Sequence, residues 1–291
     1  MPSFETIQDA LLDATRALGV TMEYHEARLQ AEILLAHSLE TSREMVLARL
    51  DETITTEVAA RYAGNVARRA KHEPLAYIVG HKNFYGLDFI VDRRVLIPRH
   101  ETEILVQLAL ERARRIATPV IVDVGTGSGA IALTLAHNLS QARVFALDKS
   151  PAALVVARMN AERLRLMDRV EFLQSDLLEA FTGSFDILIS NLPYIPTARI
   201  AQLAREIRDF EPRAALDGGE DGLGVMRRLL GQLQKRSLQG TITLLEISEE
   251  QGQAAQDLVY QILPQVVPIV HRDLEELDRV VELQFIRASR P

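Results

Sequence analysis

The apolar run Phe185–Ser190 ends at Asn191-Leu192-Pro193-Tyr194, so a carboxamide, a fixed backbone and an aromatic ring follow what reads as a buried strand. A turn alone would account for Asn and Pro there. The same four residues could also grip a planar NH2 group. The lone pair of such a nitrogen is delocalised, so it attacks poorly, and it carries two N–H groups that need acceptors. The Asn191 side-chain oxygen and the Leu192 carbonyl could take one each and aim the nitrogen at an electrophile. Pro193 would stiffen the direction of that carbonyl. Tyr194 offers a face for a planar group. Orientation of this kind can contribute on the order of 7–11 kcal/mol. No base is needed beforehand, because the proton can leave after the transfer.

A second constellation is VDVGTGSGAIAL, Val122–Leu133, between a predicted strand and a predicted helix. The glycines allow a tight turn, close approach of backbone to a ligand, and close helix packing at Gly125, Gly127 and Gly129 respectively. Asp148 ends the next predicted strand, about twenty residues on, where a carboxylate can accept from two ribose hydroxyls. Gly125, Gly127 and Ala130 also satisfy a relaxed dinucleotide pattern, so the loop alone leaves NAD open. The GxGxG spacing and Asp123 lean the other way. An acid just before the first glycine is badly placed beside a pyrophosphate and well placed beside a sulfonium or an amino group. Together these resemble the S-adenosylmethionine loop of class I methyltransferases, with Asp123, Gly125, Thr126, Gly127, Ser128, Gly129 and Asp148 as expected cofactor contacts.

These residues need a scaffold. From Pro119 onward short apolar strands alternate with helices at βαβ spacing: Val120–Val124, Arg143–Leu147, Val170–Gln174, Phe185–Ser190 and Thr241–Ile247. The pattern predicts a mostly parallel, doubly wound sheet. The fourth of these strands would lie beside the first, and Asn191 at the same rim as the glycine loop. Residues 1–74 read as a small all-α domain. Ser3 is the expected N-cap of its first helix, with Glu5 near the helix start and Ile7, Leu11, Leu12, Ala14 and Leu18 on one face. A second helix, Tyr24–Leu39, is expected to turn Leu29, Ile33 and Leu34 inward. Residues 75–97, with Leu75–Val79 and Phe84–Val91 of strand composition, read as a β-hairpin linker. Residues 98–291 make up the larger domain.

Composition narrows the function classes. The chain has 291 residues and ordinary globular composition, and its longest apolar runs fall short of a membrane span. The N-terminal stretch carries acids among its apolar residues and does not read as a secretory signal. There is no cysteine, which fits a cytoplasmic location, and the seven histidines form no HxH or HxxxH pair, so no metal site is expected. Net charge is −7, and residues 1–75 hold eight Lys and Arg against twelve Asp and Glu. A domain that grips phosphate backbones usually carries the opposite sign, so direct nucleic-acid binding is not expected.

The NLPY tetrapeptide resembles the [N/D]PPY signature of amino-methyltransferases acting on adenine N6, cytosine N4 or glutamine N5. Two longer stretches decide among them. GHKNFYGLDFIVDRRVLIPRHETEILV (Gly80–Val106) and FEPRAALDGGEDGLGVMRRLL (Phe210–Leu230) are similar to signature segments of the release-factor glutamine methyltransferases, the HemK/PrmC family. The likeness covers essentially the whole chain. It implies a helical substrate-recognition domain, a β-hairpin linker and a Rossmann-like methyltransferase domain. It implies transfer of methyl from S-adenosylmethionine to the side-chain amide nitrogen of the glutamine in the GGQ motif of peptide-chain release factors. Carried over by position, Asn191–Tyr194 are the catalytic and glutamine-binding residues. Asn191, Asp176 and Leu177 join the cofactor contacts. Three positions depart from the family pattern: Leu192 and His100 stand where proline is usual, and Leu177 where an aromatic is common.

Two clusters have plainer readings. Arg99, Glu101 and Glu103 suit a charged helix start as well as a site. The Asp217–Gly222 stretch is dense in acids and glycines but lacks EF-hand spacing, and reads as a loop near the site. The alternatives to glutamine methylation are adenine-N6 methylation of RNA or DNA, a nicotinamide oxidoreductase, and a non-catalytic binding module.

Overall fold

The computed structural model describes residues 6–285. They form two compact units. One runs to His81 and takes in Ala204–Phe210; the other holds Lys82–Leu203 and the chain from Glu211 onward.

The first unit is built on α1 (Ile7–Leu18), α2 (Tyr24–Leu39), α3 (Arg43–Ala48), α4 (Thr56–Ala70) and α5 (Leu75–Val79). Ser3 and Glu5 lie outside the described residues. Thr6 caps α1 reciprocally: its hydroxyl accepts from the Asp9 N–H, and the Asp9 carboxylate accepts from the Thr6 N–H. Ile7, Ala10, Leu11, Ala14 and Leu18 form the buried stripe. Leu12 and Leu29, expected inward, face solvent. Each sits about 100° or more off its helix's stripe, and in α2 small Ala27 and Ala31 take the inner positions with Leu34 and Leu35. Leu75–Val79 has strand composition but is helical. Pro74 sets its first turn, its carbonyl accepting from Tyr77 and Ile78 N–H, and the turn delivers Ile78 to the helical core. Arg69 of α4 is buried, and its Nη2 lies 2.9 Å from Glu206 of the 204–210 segment.

A hairpin follows, β1 (His81–Phe84) and β2 (Leu87–Ile90), which belongs to the second unit from Lys82 on. Its two-residue turn, Tyr85-Gly86, has both residues at positive φ, which matches the twist of the strands. A 3-10 turn, His100–Thr102, leads into α6 (Glu103–Ala113), and β3 (Val120–Val124), α7 (Ala130–Asn138), β4 (Arg143–Asp148), α8 (Pro151–Arg163), β5 (Val170–Gln174) and β6 (Ile187–Ser190) follow. A short helix, α9 (Arg205–Arg208), belongs to the first unit. Then come α10 (Gly224–Gln234), β7 (Ile242–Glu246), α11 (Gly252–Ile262), β8 (Pro268–Arg272) and β9 (Asp278–Gln284).

Seven strands form one sheet in the order β5-β4-β3-β6-β7-β9-β8, parallel except for β9, which runs antiparallel to both neighbours. Successive residues of each strand feed opposite cores. Ile121, Ile187, Ile189 and Leu244 pack under α6 and α7; Val122, Leu188, Leu245 and Val281 pack under α10 and α11. This two-sided burial is why the strands read as continuous apolar runs. The strand order reverses between β3 and β6, which opens a crevice beyond their carboxyl ends.

Candidate active site

A cavity of about 440 Å³ lies in the second unit and is walled by residues that leave those strand ends. Gly125, Thr126, Gly127 and Ser128 form one side. The Gly125 and Thr126 N–H groups both donate to the Leu147 carbonyl at 2.8 Å, which ties the loop to β4. A Cβ added at Gly127 would meet nothing within 4 Å, so the backbone there stands open to the cavity. Gly129 is different. It starts α7 at φ +83, and a Cβ would lie 3.0 Å from Leu133 Cδ1 and 3.2 Å from the Ala157 methyl, so only glycine lets α7 and α8 pack. Gly129 is not on the wall.

Asp148 closes the opposite side. Its Oδ2 accepts from the Gly127 N–H at 2.9 Å and its Oδ1 from the Ser150 N–H at 2.8 Å. Burial pushes this carboxyl's pKa up, and those two amides pull against it. Each oxygen keeps a second lone pair for a ligand hydroxyl. Asp176 and Leu177 also line the cavity, and Asp176 Oδ2 accepts from Arg228 Nη2 at 2.6 Å.

Asn191, Leu192 and Pro193 complete the wall. The two loops touch: a Cβ on Gly125 would sit 3.8 Å from Leu192 Cδ2 and 3.9 Å from the Asn191 carbonyl oxygen. Asn191 Nδ2 donates to Thr102 Oγ1 at 3.1 Å, so Oδ1 is the end left to accept. Beyond Pro193 the chain is held from behind. Gln251 Nε2 donates to the Tyr194 carbonyl at 3.0 Å, and the Ile195 N–H and carbonyl pair with the Leu216 carbonyl and the Gly218 N–H. Gly222 abuts the Tyr194 carbonyl so closely that a Cβ would fall 2.3 Å from it. The glycine and acid density of 217–222 thus serves backbone packing, and Pro212, Ala214, Ala215 and Asp217 reach the cavity wall.

Besides Gly129, two expected contact residues lie elsewhere. Asp123 sits fully buried behind the loop, where its Oδ2 accepts from Thr126 Oγ1 at 2.6 Å and the Ala132 N–H at 3.2 Å. It braces the turn from inside the sheet, and burial pushes its pKa up to about 7. Tyr194 lines a separate crevice with Glu246 and Gln251 rather than the large cavity. The Arg99–Glu103 cluster divides. Arg99 is on the cavity wall, paired with buried Glu211, whereas Glu103 accepts from the Tyr85 N–H at 3.0 Å and holds the hairpin turn. Thr102, Arg94 and Arg228, which the sequence did not single out, are on the wall as well. Among the described residues no cluster of three or more His, Cys, Asp or Glu could hold a metal ion, and no helix is long and apolar enough to cross a membrane.

Family models match at both ends of this architecture. The PrmC N-terminal domain matches residues 9–80, and a methyltransferase domain matches residues 121–210. A release factor glutamine methyltransferase of Moorella thermoacetica is 46% identical over 254 residues, 87% of this chain and 89% of that protein. The chain belongs to the release factor glutamine methyltransferase family. A member from Nitratidesulfovibrio vulgaris is 39% identical over 96% of this chain and 95% of its own length, so the likeness spans both units. Among solved structures, a methyltransferase from Pyrococcus furiosus aligns with a TM-score of 0.52 at 17% identity over 77% of this chain and 99% of its own. The hMettl16 catalytic domain aligns at 0.56 and 13% identity, over 80% and 84%. Both share the class I methyltransferase fold.

Proposed function

We propose that the protein methylates the side-chain amide nitrogen, N5, of the glutamine in the GGQ motif of peptide-chain release factors, in the cytoplasm and with S-adenosylmethionine as donor. The observation that carries the reading is the Asn191 carboxamide on the cavity wall, its NH2 end bound to Thr102 and its oxygen left to accept.

The donor set fits the cofactor. The Asp148 carboxylate keeps lone pairs for two hydroxyls, Leu177 gives an apolar surface, and the open backbone at Gly127 admits a ligand against the loop. S-adenosylmethionine, when bound, supplies an electrophilic methyl group. The chain's own residues do the rest. The Asn191 oxygen and the Leu192 carbonyl accept the two amide N–H groups of the substrate, fix its plane, and meet the positive charge that grows on nitrogen with dipoles already in place. Pro193 and the brace from Gln251 and Gly222 hold the clamp rigid. The helical unit takes the release factor.

The test is methyl transfer from labelled cofactor to a release factor bearing GGQ, to the same factor with that glutamine changed to glutamate, and to rRNA and DNA. Label on the glutamine form alone is expected. Label on nucleic acid would replace this reading with adenine-N6 methylation.

A further inference from the structure

Glu246 ends β7 with its side chain buried, and its Oε2 has no hydrogen-bond partner. Buried acceptors without partners are uncommon and costly. The cation acting on this carboxyl is Arg279 of β9, but that guanidinium donates to Asp273 at 3.0 and 2.9 Å. Neutralising a core charge therefore does not account for Glu246.

Its neighbours do. The parallel register sets Ser190 beside Leu245, so Asn191, the first residue past β6, follows level with Glu246, the last of the adjacent β7. The Asn191 amide and the Thr102 hydroxyl both lie against the Glu246 carboxyl. Thr102 occupies the N-cap of α6, where a hydroxyl ordinarily accepts from the first free N–H groups of the helix, yet it makes no such bond. It accepts from Asn191 Nδ2 instead. A hydroxyl that accepts still has a proton to donate, and Glu246 is an acceptor short of a donor.

A carboxamide can sit in two orientations that exchange its oxygen and nitrogen, and only one offers oxygen to the cavity. We infer that Glu246, acting through Thr102, is a positioning residue that fixes Asn191 with its oxygen toward the substrate nitrogen. The chain of donors runs from the Asn191 NH2 to the Thr102 hydroxyl to the Glu246 carboxylate. Ionised, Glu246 can only accept, so the Thr102 proton points to it, and an amide turned over would set its oxygen against the Thr102 lone pairs. The inference rests on the reading that Asn191 receives the substrate amide.

Three variants test it: Thr102→Val, Thr102→Ser and Glu246→Gln, each assayed for kcat and KM with a release factor and for cofactor affinity by titration. Thr102→Val removes the relay at constant shape. Its kcat should fall by about tenfold or more, the worth of one well-placed hydrogen bond, with cofactor affinity within about twofold of wild type. Thr102→Ser keeps the hydroxyl and should restore kcat. Glu246→Gln can present an NH2 to Thr102 and should lose kcat as Thr102→Val does. Wild-type kcat in both Thr102→Val and Glu246→Gln would overturn the inference. So would parallel loss of turnover and cofactor affinity in all three, because that is the mark of a merely structural role. A wild-type enzyme that labels no release factor would instead bring down the functional reading on which this one stands.

Discussion

Asn191 carries the most weight for the least mass. On the proposed clamp, truncation to alanine leaves a substrate N–H without an acceptor, a loss of about 1–3 kcal/mol. Asn191→Ala should therefore lower kcat several-fold to a hundredfold while the fold survives, and steady-state kinetics with a release factor would show it. Full turnover would rule out the clamp. Asp148 acts on a different quantity. Its carboxylate sits on the wall with lone pairs free, so Asp148→Ala should weaken cofactor binding by about 1.5–3 kcal/mol in a calorimetric titration, with the fold retained. Unchanged affinity would remove the ribose role. Both residues are legible in the sequence because each ends an apolar strand, where a polar side chain has no local purpose. Thr102 is not legible. In RHETE it has a ready explanation as a helix cap, and only the approach of Asn191, 89 residues away, shows that the cap is unused.

At the scale of elements, the glycines separate into kinds. Gly129 and Gly64 look alike in sequence, each in or at a helix. Gly64 lies in α4 with open space around its missing Cβ, whereas Gly129 has the Ala157 and Leu133 side chains against it at positive φ. Gly129→Ala should destabilise by at least about 1–3 kcal/mol through overpacking and backbone strain. Gly64→Ala should be neutral or stabilising by up to about 1 kcal/mol through helix propensity. Urea titration of both would show opposite signs. The order of strands and helices was readable because parallel strands buried on two faces and amphipathic helices have distinct periods. α5 was not, since five residues are too few to display a period and Pro74 decides the turn. The brace behind Tyr194 was not either, because close approach of Gly222 to a carbonyl leaves no trace in composition.

For the whole molecule, acid–base balance sets how stability varies with pH. Burial pushes the Asp123 and Glu246 carboxyls up to about 7. In the unfolded chain they would ionise near their ordinary values, so above those values the unfolded state holds fewer protons than the folded one. Their contribution to stability therefore falls as pH rises to about 7 and is level beyond it. Glu32 and Glu282, held down by arginine partners, work in the opposite direction at lower pH. Glu246→Gln removes one of the two penalties and should flatten the decline between about pH 4.5 and about 7, measured as unfolding midpoints across that range. An unchanged slope would mean that Glu246 titrates near its ordinary value.

The segment Ala204–Phe210 lies in the first unit although the chain on both sides of it belongs to the second. The polypeptide therefore passes between the units three times, not once. Neither unit is a contiguous gene fragment: a piece ending at His81 would lack Glu206, the carboxylate partner of buried Arg69, and a piece beginning at Lys82 would carry a stretch with nothing of its own to fold onto. A chimera that takes the helical unit from a relative would have to carry Ala204–Phe210 along with the residues up to His81.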